Sequence, residues 1–80
     1  MPNMQIIYNS NHYHVVEYTQ ENLYEVIDKV LGMGGYFQGD IATAFRQSLA
    51  QVIERDPTVD SVDDFLTEYH CLMTHPVRFH

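Results

Sequence analysis

Eighty residues with 45% hydrophobic side chains, six Tyr and four Phe are typical of one small folded domain and exclude a disordered chain. Four Lys and Arg oppose 11 Asp and Glu, and the formal net charge of −7 disfavours binding to nucleic acid or to an anionic membrane surface. The single cysteine, Cys71, excludes an intrachain disulfide, and residues 1–10 do not resemble a secretory signal. We therefore expect a cytoplasmic protein with one domain over residues 1–80.

The first predicted element is a β-hairpin between Met4 and Tyr18. Two runs rich in aromatic and branched residues, MQIIY and HYHVVEY, flank Asn9-Ser10-Asn11, whose side chains favour turns. Because side chains alternate along a strand, Met4, Ile6 and Tyr8 are expected on one face of the sheet.

The segment over residues 23–31 is compatible with a helix or a strand. Local signals favour the helix, because apolar side chains recur at helical spacing and Gly32 would end it. All four glycines lie within eight positions, which indicates turns, and Tyr36-Phe37 between them predicts a short strand ending at Gly39. The residues of the helical stripe are Leu23, Ile27, Val30 and Leu31.

Two amphipathic helices are predicted over residues 40–55 and 59–74, separated at Asp56-Pro57 because proline disfavours helical geometry in the residue before it. Asp40 is the expected N-cap of the first helix, and Thr58 or Ser61 that of the second. The predicted fold class is α+β: an antiparallel hairpin extended to a three- to four-stranded sheet, covered by an antiparallel helix pair, with residues 76–80 as an extended tail. The apolar stripes are Ile41, Phe45, Leu49, Val52 and Ile53 on the first helix, and Val62, Phe65, Leu66, Tyr69, Leu72 and Met73 on the second.

The motifs MQIIYNS, HVVEY, YEVIDK, GDIATAFR, DDFL and LM-x-x-P-V, with a terminal His, resemble those of a small, mainly betaproteobacterial family of uncharacterised proteins that share a domain of unknown function. The likeness covers nearly the whole chain and departs most over residues 19–35. In family members the counterpart of YEVIDK resembles a strand, so the resemblance implies a strand over residues 23–30. It implies no activity and no catalytic residues.

Histidine is the commonest transition-metal ligand, and the chain has five. His12 and His14 lie two positions apart, so both rings are expected on one strand face. His70, Cys71 and His75 form a second candidate cluster near the end of the last helix. Because a closed site takes four ligands and nothing in the sequence brings the two clusters together, metal binding is the alternative function and not the favoured one.

No catalytic constellation and no cofactor are predicted. The glycine run lacks the third glycine of a dinucleotide fingerprint and the Lys-Ser or Lys-Thr pair of a P-loop. The Cys71 thiol, close to acidic Glu68, is expected to be inert, and Asp63 and Asp64 point in different directions on a helix.

Protein interaction is the favoured function. A small core, an exposed sheet edge and an apolar tail predict an interaction or regulatory adaptor module that binds a protein partner or forms a homodimer. The candidate interaction residues are Val77, Phe79, Tyr13 and Tyr18.

Overall fold

The structure, a computed structural model, describes residues 4–77. Five strands form one antiparallel sheet in the order β1-β2-β3-β4-β5, and the helices lie in the chain between β4 and β5. The predicted α+β class is confirmed, with one strand more than expected. In chain order the elements are β1 Met4–Asn9, β2 Tyr13–Tyr18, β3 Leu23–Asp28, β4 Met33–Gln38, α1 Asp40–Arg55, α2 Val59–Thr67, a 3-10 helix His70–Leu72 and β5 His75–Pro76.

The predicted hairpin is confirmed, and a bulge in β1 changes which face its side chains meet. Ile6 pairs with Val16 but Tyr8 pairs with Val15, so Ile7 is the extra residue of the bulge. Tyr8 therefore lies on the opposite face from Ile6 and packs against the core, contrary to the simple alternation expected along this strand.

Residues 23–28 form a strand, β3, and not the helix that local signals favour. The strand that the family resemblance implies is confirmed. Antiparallel pairing with β2 on one side and β4 on the other satisfies the backbone of this segment, and Tyr24 and Val26 are buried beneath the helices. Tertiary contacts thus override the weak local preference. The predicted short strand at Tyr36-Phe37 is part of β4.

At two glycines, a residue with a side chain would disturb the local structure. A Cβ added at Gly35 would lie 2.2 Å from the carbonyl oxygen of Leu72, so the 3-10 helix packs directly on the backbone of β4. Gly39, with φ of 70°, is the N-cap of α1. The expected cap, Asp40, is instead the first helical residue, where its carboxylate favours the helix dipole.

Helix α1 has the predicted bounds, whereas the second predicted helix is divided. α2 ends at Thr67, and the separate 3-10 helix replaces the last turns that were expected up to residue 74. Thr58 caps α2, because its hydroxyl accepts the Ser61 N–H at 3.3 Å. The outermost stripe residues Ile41, Ile53 and Leu72 are exposed. Within residues 4–77 no helix has the length and apolar character needed to cross a membrane.

Both helices pack on one face of the sheet and enclose the core. The chain after the 3-10 helix returns to the sheet edge, where His75 pairs with Gly34 and the Val77 N–H donates to the Gly32 carbonyl at 2.8 Å. The rest of the predicted tail lies outside the described residues. The core residues are Tyr13, Val15, Tyr24, Val26, Phe37, Ala42, Phe45, Leu49, Val62, Leu66 and Met73.

Candidate metal site at the end of the sheet

Three ionisable side chains from separate elements meet at one end of the sheet. His12 precedes β2, Asp28 ends β3 and His70 begins the 3-10 helix. Because Tyr13 pairs with Asp28 between β2 and β3, the preceding residue, His12, is held next to Asp28. One possible ligand atom from each of the three lies within 4.8 Å of the other two. We call this group the His12–Asp28–His70 cluster.

Asp28 is the fixed member of the cluster. Its side chain is 1% exposed, and Oδ1 accepts the backbone N–H of Val30 at 2.9 Å and of Leu31 at 3.0 Å. Burial raises the pKa of Asp28, but the hydrogen bonds from these two N–H groups and the neighbouring His12 ring lower it by more. The pKa therefore lies below its usual value, and the carboxylate is ionised at neutral pH.

Both histidines direct Nε2 towards this carboxylate. His12 Nε2 lies 3.4 Å from Oδ1, and His70 Nε2 lies 3.0 Å from Oδ2. Asp28 Oδ2 is buried, and within residues 4–77 no contact to it, including the one from His70, has hydrogen-bond geometry. The imidazoles are 36% and 38% exposed, so the cluster is open to solvent on the histidine side.

The Tyr13 hydroxyl completes the polar surroundings. It lies 2.5 Å from His70 Nε2 and 3.0 Å from Thr67 Oγ1, and the Tyr13 ring stacks on His12 with centroids 4.0 Å apart. Burial raises the pKa of Tyr13, nearby carboxylates raise it further, and the Thr67 hydrogen bond partly offsets this rise. The phenol is thus protonated at neutral pH and has two acceptors within reach.

The protonation of His70 decides which contacts in the cluster are favourable. If Nε2 accepts the Tyr13 O–H, its lone pair lies 3.0 Å from the lone pairs of Asp28 Oδ2, an unfavourable arrangement. If Nε2 carries a proton, Tyr13 must donate to Thr67 instead. A cation between Nε2 and Oδ2 would bind both lone pairs.

The structure brings together one member of each predicted histidine cluster and separates the others. His14 alternates with Tyr13 and so lies on the opposite face of β2. Cys71 is exposed, and His75 lies in β5 with its ring 6.3 Å from that of Tyr36. Neither predicted set forms a site by itself. The expected shared face of His12 and His14 is wrong, because His12 turns to Asp28 and Tyr13 while His14 lies on the other face, and the helical spacing expected between residues 71 and 75 is absent.

Asp28 is not among the site residues predicted from the sequence, although the sequence contains a signal for it. A carboxylate that accepts the N–H groups two and three residues later is a common turn device, and Gly32, with φ of 67°, follows at the end of the turn. Reading residues 23–28 as a strand would have placed Asp28 at a strand end beside the hairpin. Its meeting with His70 depends on tertiary packing.

The predicted interaction residues lie in different environments. Tyr13 is 0% exposed in the core, so it is not available on the surface, which corrects its assignment. Tyr18 is partly buried and its hydroxyl donates to Glu25 at 3.3 Å. Val77 is partly buried at the end of the described chain, and Phe79 lies outside the described residues.

A sequence family described as "Protein of unknown function (DUF3567)" matches residues 4–80 of the chain. The chain is similar to Protein BTH_I0359 of Burkholderia thailandensis, with 38% identity over 85 residues that cover 96% of this chain and 100% of that protein. No solved structure matches the chain. The resemblance to an uncharacterised betaproteobacterial family is thereby confirmed.

Proposed function

The chain belongs to the family of proteins of unknown function DUF3567, and from the chemistry of its own side chains we propose that it binds one divalent transition-metal ion through His12, Asp28 and His70. Two imidazole nitrogens and one carboxylate oxygen are the donor set of many zinc sites. The same donors suit Co²⁺, Ni²⁺ and Cu²⁺, whereas Ca²⁺ and Mg²⁺ prefer ligands that are all oxygen.

The observation that carries the proposal is the buried oxygen Asp28 Oδ2. When His70 Nε2 accepts the Tyr13 O–H, this oxygen has no donor within residues 4–77, which costs about 1–3 kcal/mol and more for a charged group. Here the oxygen lies 3.0 Å from His70 Nε2, a second group whose lone pair a cation would bind. The formal net charge of −7 also favours a cation at this point.

The spacing of the donor atoms supports a small ion. Zinc bonds of about 2.0–2.1 Å in a tetrahedron separate two ligand atoms by about 3.3 Å. His70 Nε2 lies 3.0 Å from Asp28 Oδ2, close to this value, and one ligand atom from each of the three residues lies within 4.8 Å of the other two. The two histidines are partly exposed, so their rings have room to move towards a common centre.

The Tyr13 hydroxyl has an alternative partner when His70 Nε2 binds a metal. Thr67 Oγ1 lies 3.0 Å from the phenol oxygen, so Tyr13 retains a hydrogen bond after losing its contact with the imidazole. A water molecule or the phenol oxygen would then take the fourth position of the tetrahedron. Binding therefore leaves no buried group of the cluster without a partner.

The competing interpretation is a network in which both histidines merely donate hydrogen bonds to Asp28. Isothermal titration calorimetry of the tag-free protein with Zn²⁺ separates the two. If the cluster binds metal, one equivalent of Zn²⁺ should bind to each chain. His70→Gln and Asp28→Asn should each weaken Zn²⁺ binding at least about 100-fold, because removing a metal ligand should cost at least as much affinity as removing a residue that only supports a ligand. The Asn oxygen of the second variant still accepts the turn N–H groups, so the turn should persist.

His75→Gln is the matched control, because it removes an imidazole from the same part of the chain but outside the cluster. Its affinity for Zn²⁺ should stay within about twofold of the unsubstituted protein, far from the loss that removal of a ligand causes. A titration of the unsubstituted protein that releases no binding heat would refute the proposal. Equal losses in His75→Gln and His70→Gln would refute the assignment of ligands.

A further inference from the structure

The sheet has a second face that neither helix covers, although the Val77 side chain lies over Gly34 beside Ile27 at the β4 edge of this face. Ile6, Val16, Glu25 and Tyr36 are successive cross-strand partners from β1 to β4, so their side chains share one face. His14, Tyr18 and Ile27 alternate with the core residues of their strands and lie on the same face. We call these seven residues the open face.

The open face is mostly apolar and partly exposed. Val16 and Ile27, at 4% and 6% exposed, form its centre, and Ile6 and Tyr36 at 57% and 56% exposed flank them. Exposed apolar side chains grouped around a buried centre are typical of a surface that contacts another protein. The two central residues do not belong to the helix-covered core.

The charge distribution indicates which surface of this acidic protein can approach a second copy. Of the 11 Asp and Glu in the chain, only Glu25 belongs to the open face, and it accepts a hydrogen bond from the Tyr18 hydroxyl at 3.3 Å. Residues 40–68 contain seven of the others. Two copies with a net charge of −7 repel each other most strongly through their helical sides, and least through their open faces.

We propose that the open face is the interface of a homodimer in which two copies pack sheet against sheet. A two-fold axis would place the same apolar surface on both sides, as an isologous interface requires. Pairing of the sheets edge to edge is disfavoured, because β1 carries the bulge at Ile7 and β5 has only two residues.

The size of the open face sets the expected strength of the dimer. Strands β1 to β4 have six residues each, so the face measures about 20 Å along the strands and about 14 Å between the outermost two. Its projected area of about 300 Å² lies below the roughly 800 Å² per partner of a standard stable interface, even allowing for surface relief. The dimer should therefore be weak, with a dissociation constant in the micromolar range or above.

Sedimentation velocity between about 10 μM and 1 mM protein tests the proposal, with EDTA present so that the metal site plays no part. The mass should rise with concentration from 9.4 kDa towards twice that value. High salt should strengthen association, because it screens the repulsion between two acidic copies.

Ile6→Lys should raise the dissociation constant at least tenfold, since a charge in the interface must be desolvated. Tyr36→Lys, as an independent variant, should raise the dissociation constant to a similar extent.

The matched control is Ile53→Lys, which places the same charge at an exposed apolar residue of α1, on the helical side. It should change the dissociation constant by less than about threefold, and amide spectra should confirm that all variants are folded. A monomer across the whole concentration range would overturn the proposal. So would an equal loss of association in Ile53→Lys, or a monomer that associates only after removal of residues 78–80. These results do not bear on zinc affinity, so the two proposals fail separately.

Discussion

Replacing Gly35 by Ala should destabilise the protein more than its small change in volume suggests. The added Cβ would lie 2.2 Å from the Leu72 carbonyl oxygen and 2.9 Å from its carbonyl carbon. Both are backbone atoms, so a change of side-chain rotamer cannot relieve the contact. Restoring an ordinary separation of about 3.4 Å requires the 3-10 helix to move by about 1.2 Å, which would also disturb the buried Met73.

The expected loss follows from two opposing terms. Overpacking costs about 1–3 kcal/mol, and contact with backbone places Gly35→Ala near the upper value. Ala restricts the unfolded chain more than Gly does, which returns about 0.4–1 kcal/mol. We therefore expect the free energy of unfolding to fall by about 2 kcal/mol, measured from the midpoint of urea denaturation at constant slope.

Gly39→Ala is the control, because no atom of residues 4–77 lies within 4 Å of the added Cβ. Its φ of 70° costs a residue with a side chain about 1–2 kcal/mol, but the strain is local to the start of α1. Gly35→Ala should also weaken Zn²⁺ binding, because His70 begins the displaced 3-10 helix, whereas Gly39→Ala should not. A Gly35→Ala protein within 0.5 kcal/mol of the unsubstituted one, with unchanged Zn²⁺ affinity, would refute this reasoning.

Two further predictions concern pH. The pKa of Glu17 lies below its usual 4.5, chiefly because the Tyr24 hydroxyl donates a hydrogen bond to this carboxylate at 2.5 Å. The ionised Glu17 therefore stabilises the fold above pH 4.5, and this stabilisation is lost as the pH falls through the lowered pKa. Glu17→Gln should therefore flatten the decline of the urea midpoint as the pH falls below about 4.5; an unchanged decline would contradict this. Burial chiefly raises the pKa of Tyr8 and of Tyr24 from 10.0 to about 12, so both phenols favour folding below pH 10 and lose this effect as the pH rises to about 12. Absorbance at 295 nm should show phenols that ionise well above pH 10, and Tyr24→Phe should remove one of them; early ionisation of all phenols in the folded protein would contradict the prediction.

Features governed by neighbours in the chain were predictable from the sequence. The apolar stripe between Asp40 and Arg55, and the proline that follows, suffice to define α1. The hairpin follows from alternation and the turn residues near Ser10. Because each signal lies within a few positions of the element it determines, no knowledge of distant pairing is needed.

Features governed by distant contacts were not predictable. The bulge at Ile7 depends on the register with β2, and the early end of α2 accompanies the close packing of Leu72 on Gly35. The candidate site belongs to the same class. Each predicted histidine cluster contributed one member, but Asp28 joins them only because β3 pairs with β2 and the 3-10 helix folds back over the sheet end.

The most direct test of metal binding at the His12–Asp28–His70 cluster is a long-range ¹H–¹⁵N spectrum of the histidine side chains during a Zn²⁺ titration. With one equivalent of Zn²⁺, the Nε2 resonances of His12 and His70 should shift together, and the tautomer of each ring should become fixed with Nε2 on the metal. The resonances of His14 and His75, which lie outside the cluster, should remain in place. Unchanged His12 and His70 resonances, or equal shifts of all four rings, would contradict the proposed site.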